Sequence, residues 1–305
     1  MKKIIYFVII STLLLFGCST IDHHLNKKSQ SVPEEMPASK YVGQGFQPKA
    51  EKSAIEYAKK HRKEYEKLGE QFFKDNFSLN VKATNVVGSG DGVEVFVHCD
   101  DHDIVFNASI PFDKESIHEK GSMRSHDNGD NMSTMVGTVL SGFEYRAQKE
   151  KYDNLTRTLK ENQSKYQYTG YTKDAIYKTQ NTGYQNEFYY ISADLTSLKN
   201  YRIYFEPLIK KNDKEFKEGV KNAYKSTNYE AKIDVVTTLF STMNSYSKKK
   251  NTNNVFKLAK DIENSKGMPI NIDMDLQFTD ENINTVNPLY SKKDVTNFGV
   301  FDEYK

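Results

Sequence analysis

The sequence predicts an α+β protein: an antiparallel β-meander over about residues 79–110, packed with helices from both sides of it in sequence, behind an N-terminal lipoprotein signal and a flexible tether. Three observations predict it. Residues 79–110 hold two strand-like runs punctuated by Gly88, Gly90 and Gly92. The segments on either side show helical spacing of apolar residues instead. The first 17 residues read as an export signal rather than as part of a fold.

The signal comes first in the chain. Lys2 and Lys3 make a positive start, and Ile4 to Phe16 is apolar. That stretch fits the ~7–15 residues of a signal peptide and falls short of the ~20 needed to span a bilayer. It ends at Leu15-Phe16-Gly17-Cys18, which resembles a bacterial lipobox: Leu at −3, a small residue at −1, Cys at +1. In lipobox proteins the Cys thiol takes a diacylglyceryl group and the signal is cut before it. The expected division is therefore residues 1–17 as signal, 18–48 as lipidated Cys18 plus tether, and 49–305 as folded body, with any subdivision near residue 165. The tether is rich in Ser, Pro, Lys and Gln and has no apolar period. His23 and His24 stand in it as an adjacent pair, too flexible a setting for a built metal site.

The body opens on a long helix over residues 50–77. Ala54, Ala58, His61, Tyr65, Leu68 and Phe72 mark its apolar face, and Glu56 and Lys60 can pair on its surface. The meander follows, with strands at 80–87, 93–98 and 104–110. The loop Gly88-Ser89-Gly90-Asp91-Gly92 is a hairpin turn, because no Lys-Ser/Thr follows it and a strand comes next. Asp100 and Asp101 are placed at the second turn. Cys99 then continues the apolar face of Val93, Val95 and Val97, while His98 points the other way.

The stretch VHCDDHD is the densest chemistry in the chain. A zinc site needs about four ligands. Cys99 and His102 offer two, and His118 and His126, the latter with Asp127, would have to supply the rest from separate loops. Nothing in the spacing demands this. The reading taken is a hairpin with a polar tip, a buried Cys99, and no metal or other cofactor. With Cys18 lipidated, Cys99 has no disulfide partner in its own chain.

Downstream, Asp127-Asn128-Gly129-Asp130-Asn131 lacks the order of a calcium loop and reads as a turn into a helix. Met132, Met135, Val139 and Phe143 mark that helix's face; Gly137 and Gly142 permit close packing. A charged helix runs to Tyr166. Residues 166–190 are tyrosine-rich, which suits a core or interface patch, with stacking on sugars as the alternative. Helices are expected near 196–211, 214–225 and 253–266. A strand is expected at 268–278, and 233–243 reads as either strand or buried helix. Lys248-Lys249-Lys250 is taken as a basic loop, and the end from Thr279 as polar and irregular.

Composition narrows the function. The formal net charge of +2 is matched by Lys2 and Lys3 alone, so the body is near neutral and has no field to draw it to nucleic acid. With 18 Phe and 20 Tyr but no Trp, aromatic rings can fill much of the core. No linear catalytic signature is present. The leading expectation is a non-enzymatic surface protein on the extracytoplasmic face of the cell membrane. Its partners are then the membrane, through a diacylglyceryl anchor at Cys18, and a cell-wall or protein partner. A metal-dependent hydrolase using the His98–His126 region is the alternative, and a transporter's solute-binding lipoprotein the third.

The stretches DGVEVFVHCDDHDIVFNASIPF, GSMRSHDNGD, MVGTVLSGFEYRAQKEKYDNL and YFEPLIKKNDKEFKEG resemble a family of uncharacterised staphylococcal membrane lipoproteins, classed as a domain of unknown function. The resemblance runs from the signal through about residue 245. It implies a Gram-positive cell-membrane lipoprotein and carries no catalytic residue over to this chain.

Overall fold

The structure is a computed structural model and describes residues 32–227, 233–243, 248–288 and 296–300. Cys18, the signal and residues 18–31 of the expected tether lie outside the described residues.

The described chain begins in contact with the body. A short strand β1 (Glu35–Pro37) and a 3-10 turn (Ala38–Lys40) lead to helices α1 (Lys52–Lys60) and α2 (Arg62–Phe77). The single helix expected over 50–77 is broken at His61, whose backbone (φ −107°, ψ 24°) leaves the helical region. The break follows the sheet below. A Cβ at Gly88 would fall 2.7 Å from the Ile55 nitrogen, so α1 lies directly on that glycine. In α2, Gly69 sits on Val95, where a Cβ would meet the valine methyl at 2.7 Å. Glu56 pairs with Lys52, 3.8 Å away, rather than with Lys60.

The meander is as expected: β2 (Val81–Ser89), β3 (Gly92–Asp101) and β4 (Ile104–Phe112) are adjacent and antiparallel in that order. Its second turn is not. Asp101 pairs with Ile104, and the turn residues are His102 (φ 56°) and Asp103 (φ 60°). Two left-handed residues make the turn whose twist matches a hairpin, and short polar side chains tolerate that conformation best. The correction moves the turn by two residues. An even shift keeps parity, so Val93, Val95, Val97 and Cys99 still share the core face, opposite Phe112, Ile110, Ala108 and Phe106.

A 3-10 turn (Lys114–His118) and a polar loop follow. Helices α3 (Asp130–Ala147) and α4 (Lys149–Tyr166) meet at Gln148. Then come β5 (Tyr168–Thr169), α5 (Lys173–Thr179) and β6 (Tyr189–Ala193). Helix α6 (Leu198–Asn200) continues through a π-turn (Tyr201–Phe205) and a 3-10 turn (Glu206–Leu208). The chain ends with α7 (Asp213–Ser226), β7 (Ile233–Thr237), β8 (Leu239–Ser241), α8 (Lys248–Glu263), β9 (Asp273–Thr279), β10 (Asn282–Asn284) and β11 (Thr296–Val300).

A second, mixed sheet was not anticipated. Both β7 and β8 run parallel to β9, while β6, β5 and β11 are antiparallel to β7, β8 and β9 respectively. Residues 233–243 are thus strand, interrupted at Thr238. The Thr237 hydroxyl accepts from the Gln277 nitrogen at 2.9 Å and fills the interrupted ladder. Lys248-Lys249-Lys250 begins α8 instead of forming a loop, and the end from Thr279 contains β10 and β11.

Helix α3 lies between the two sheets, and its glycines explain how. A Cβ at Gly142 would come within 2.9 Å of the Val105 carbonyl oxygen on β4; one at Gly137 would lie 3.1 Å from the Ala193 oxygen on β6. One apolar cluster runs from Ala58 to Val300 through both sheets and includes buried Tyr166 and Tyr168. A smaller cluster joins Ala38 and Tyr41 to Tyr171, Ala175, Ile176, Phe240 and Ile283. Residues 35–48, assigned to the tether from sequence, therefore include a docked segment: β1 pairs with β10, and Tyr41 is fully buried. The physical reason is a few apolar residues within a polar stretch: Ala38 and Tyr41 are buried in the smaller cluster and Met36 packs against it.

Candidate functional site

The β3–β4 hairpin sends its chemistry-bearing side chains in different directions. Cys99 faces the core and is fully buried; its Sγ donates to the Asn80 carbonyl at 3.7 Å. Burial pushes the thiol up to about 12, so the reactive thiolate is suppressed. His98 leaves the opposite face. Its ring stacks on Tyr177 of α5 at 4.0 Å, and its Nδ1 lies 3.0 Å from Asn107 Oδ1. Burial holds His98 below the ordinary histidine range, with Asn107 pulling the other way. His102 sits in the turn with Nδ1 2.6 Å from Asp101 Oδ1.

His118 closes the 3-10 turn after β4, and exposed His126 lies in the loop before α3. The four candidate metal ligands, Cys99, His102, His118 and His126, thus occupy four settings: core, turn tip, turn end and loop. Among the described residues, no group of three or more His, Cys, Asp or Glu could hold a metal ion. The polar turn at 127–131 behaves as read. Asp127 Oδ1 accepts from the Gly129 nitrogen at 2.8 Å, and α3 begins at Asp130.

Cys99 gives a direct check. In the native full chain it is expected to resist thiol reagents and to label on denaturation. Cys99→Ser should cost about 1–2 kcal/mol, because a buried hydroxyl here finds its nearest acceptor beyond normal reach. The denaturant midpoint measures it. Rapid native labelling would contradict the burial.

Most of the tyrosines in residues 166–190 turn inward, with Tyr177 and Tyr190 half-buried. Tyr166, Tyr168, Tyr171, Tyr184 and Tyr189 are buried, and their hydroxyls are used internally. Tyr171 donates to the Pro288 carbonyl at 2.8 Å and Tyr189 to the Tyr152 carbonyl at 2.9 Å. Tyr184 stacks on Tyr145 at 4.0 Å. At the heart of this group is a residue that the sequence reading passed over. Glu144, on α3, is buried; its Oε1 accepts from Gln148 Nε2 at 2.8 Å and from the Tyr152 hydroxyl at 3.0 Å. Burial raises its pKa, with both hydrogen bonds opposing. The available signal was the spacing of Glu144, Gln148 and Tyr152, four residues apart, continued across the α3–α4 junction. Gln148 also exchanges hydrogen bonds with the Ile270 backbone, so this polar seam ties the two helices to the approach to β9. Glu144 and Tyr152 are enclosed while Gln148 reaches towards the surface, and the carboxyl's setting is that of a buried group in a structural joint.

A family model described as "Protein of unknown function (DUF1672)" matches residues 28–305. The match begins beyond the expected signal and passes the residue, about 245, where the resemblance seen in the sequence stops. The crystal structure of a DUF1672 family protein from Staphylococcus aureus subsp. aureus Mu50 is 59% identical, with a TM-score of 0.87, covering 89% of this chain and 99% of that one. No curated protein matches the chain.

Proposed function

This chain belongs to the DUF1672 family, and from that premise we propose that it is a lipid-anchored, non-enzymatic protein of the extracytoplasmic face of the cell membrane, which binds a cell-wall component or a protein partner. The observation that carries the reading is the N-terminal run: Lys2-Lys3, the apolar residues 4–16, then Leu15-Phe16-Gly17-Cys18. Two acyl chains on Cys18 make a stable anchor where one is marginal. The start of the family match at residue 28 supports a division between an address and a body. The placement of the hairpin residues supports binding over catalysis: Cys99 is held in the core, and His98 is engaged by Tyr177 and Asn107.

The test is metabolic labelling with palmitate in a Gram-positive host. The wild type is expected in the membrane fraction carrying label. Cys18→Ala is expected without label and with its signal uncut. Label on Cys18→Ala would overturn the anchor. The purified protein should also sediment with isolated cell walls or with a protein partner, and release no soluble wall fragments. Fragment release would overturn the non-enzymatic reading and favour the hydrolase.

A further inference from the structure

The described chain emerges beside an apolar patch. Among the described residues, the exposed large apolar side chains are Val32, Val42, Leu195, Ile203, Phe256, Ile270 and Val286. Three of these, Val32, Val42 and Val286, lie on two neighbouring stretches of backbone, residues 32–45 and 285–286. Val32 lies against Gly45, whose Cβ position is 3.0 Å from a Val32 methyl and 3.3 Å from the Thr285 hydroxyl. Val286 follows Thr285 directly. Val42 is held in the same turn as Gly45: its nitrogen donates to Gln44 Oε1 at 2.7 Å, and its carbonyl accepts from Lys178 Nζ at 3.2 Å.

The frame under these valines is firm. Thr285 Oγ1 donates to the Pro33 carbonyl at 2.8 Å, the Tyr41 hydroxyl donates to the Thr285 carbonyl at 2.8 Å, and β1 pairs with β10. The three side chains are 41%, 42% and 47% exposed on a rigid base, which is how an apolar contact surface is presented. Lys40 and Lys178 flank them, as do Glu34, Glu35 and Asp174, so the rim is mixed in charge and the contact rests on the valines.

We propose that this face docks on the surface of the bilayer that holds Cys18. The proposal rests on the lipid anchor proposed above. The occupant follows from where the chain leads. Cys18 stands 14 residues before Val32 (32 − 18), so the patch is never more than about 50 Å along the chain from the lipidated residue. A surface tethered at that distance meets the bilayer at a high effective concentration, and even a weak apolar contact is then populated. Membrane-surface contact grows with the apolar area buried, and lysine stems beside the valines can keep their charge in water.

The experiment uses the full, lipidated protein in vesicles of anionic phospholipid containing brominated acyl chains. Val42→Cys, Val286→Cys and, on a separate exposed site, Ile203→Cys are each labelled with an environment-sensitive fluorophore; Cys99 is buried and stays unlabelled. Flotation with the vesicles reads the anchor. Fluorescence reads the docking. The expected result is flotation of all three, with a blue shift and bromine quenching at 42 and 286 and neither at 203. Failure to float overturns the anchor itself. Flotation with no greater quenching at 42 and 286 than at 203 overturns the docking alone. A blue shift at 42 without bromine quenching would place a second copy of the chain on the patch, and would also overturn it.

Discussion

Gly183→Ala is expected to destabilise the protein by about 2–6 kcal/mol, and the cause is a joint between the two sheets. Gly183 exchanges both backbone hydrogen bonds with Asn107 of β4, at 2.8 and 2.9 Å. Its φ of +107° is disfavoured for any residue with a side chain, at about 1–3 kcal/mol. A Cβ there would also fall 2.2 Å from Ser141 Oγ. That hydroxyl accepts from the Tyr184 nitrogen and donates to the Thr138 carbonyl, both at 2.7 Å, so displacing it strands buried groups at about 1–3 kcal/mol more. Gly121→Ala is the control: its φ is +109°, but nothing lies within 4 Å of the added methyl. Denaturant midpoints of the two variants separate backbone strain from collision. Equal losses would mean that the joint is not tightly packed.

The second expectation concerns Glu144. Folding makes its carboxyl hold its proton more tightly, because burial disfavours the charged form. In the unfolded chain it titrates near ~4.3. A folded value above the unfolded one gives stability that is fully present below the unfolded pKa and lost as pH rises through the folded pKa. Wild-type stability should therefore contain a component that falls with rising pH from about 4.3 upward, opposite to the usual carboxylate. Glu144→Gln keeps an acceptor for Tyr152 and should remove that fall. Glu144→Leu keeps neither; stranding the Tyr152 hydroxyl costs ~1–3 kcal/mol, and the lost Gln148 bond adds ~0.5–1.5. Melting temperatures across pH for the three proteins decide it. A Glu144→Gln profile parallel to the wild type would show that this carboxyl does not contribute.

The meander was legible because one face of it is buried: Val93, Val95, Val97 and Cys99 alternate with Glu94, Phe96, His98 and Asp100, and parity survives an error in the turn. The mixed sheet was not legible, because its strands are short and pair across long separations. β5 has two residues and β8 three, and β9 finds β7 only after α8 has crossed between them. A strand of that length has too few positions to show alternation. Glu144 was hidden for a different reason. Packed between two sheets, α3 buries more than one face, so its charged residue does not imply solvent. The all-round apolar and small character of Val136, Gly137, Leu140, Ser141 and Phe143 was the sign of it. The tyrosines were read correctly as core material, but each buried hydroxyl needs an acceptor from a distant segment, such as Pro288 for Tyr171, and sequence alone does not supply that pairing.

The docked N-terminal segment also sets a mechanical limit. A pull arriving through the residues before Val32 loads the three-residue ladder of β1 on β10 first, then the Tyr41 pocket, and reaches the main core only afterwards. Peeling residues 35–48 would pay out 14 residues, about 46–50 Å of added reach, while leaving both larger sheets intact. In the anchored protein proposed above, the stand-off of the body would then have a short and a long setting, and the strength of one small strand pair would decide between them.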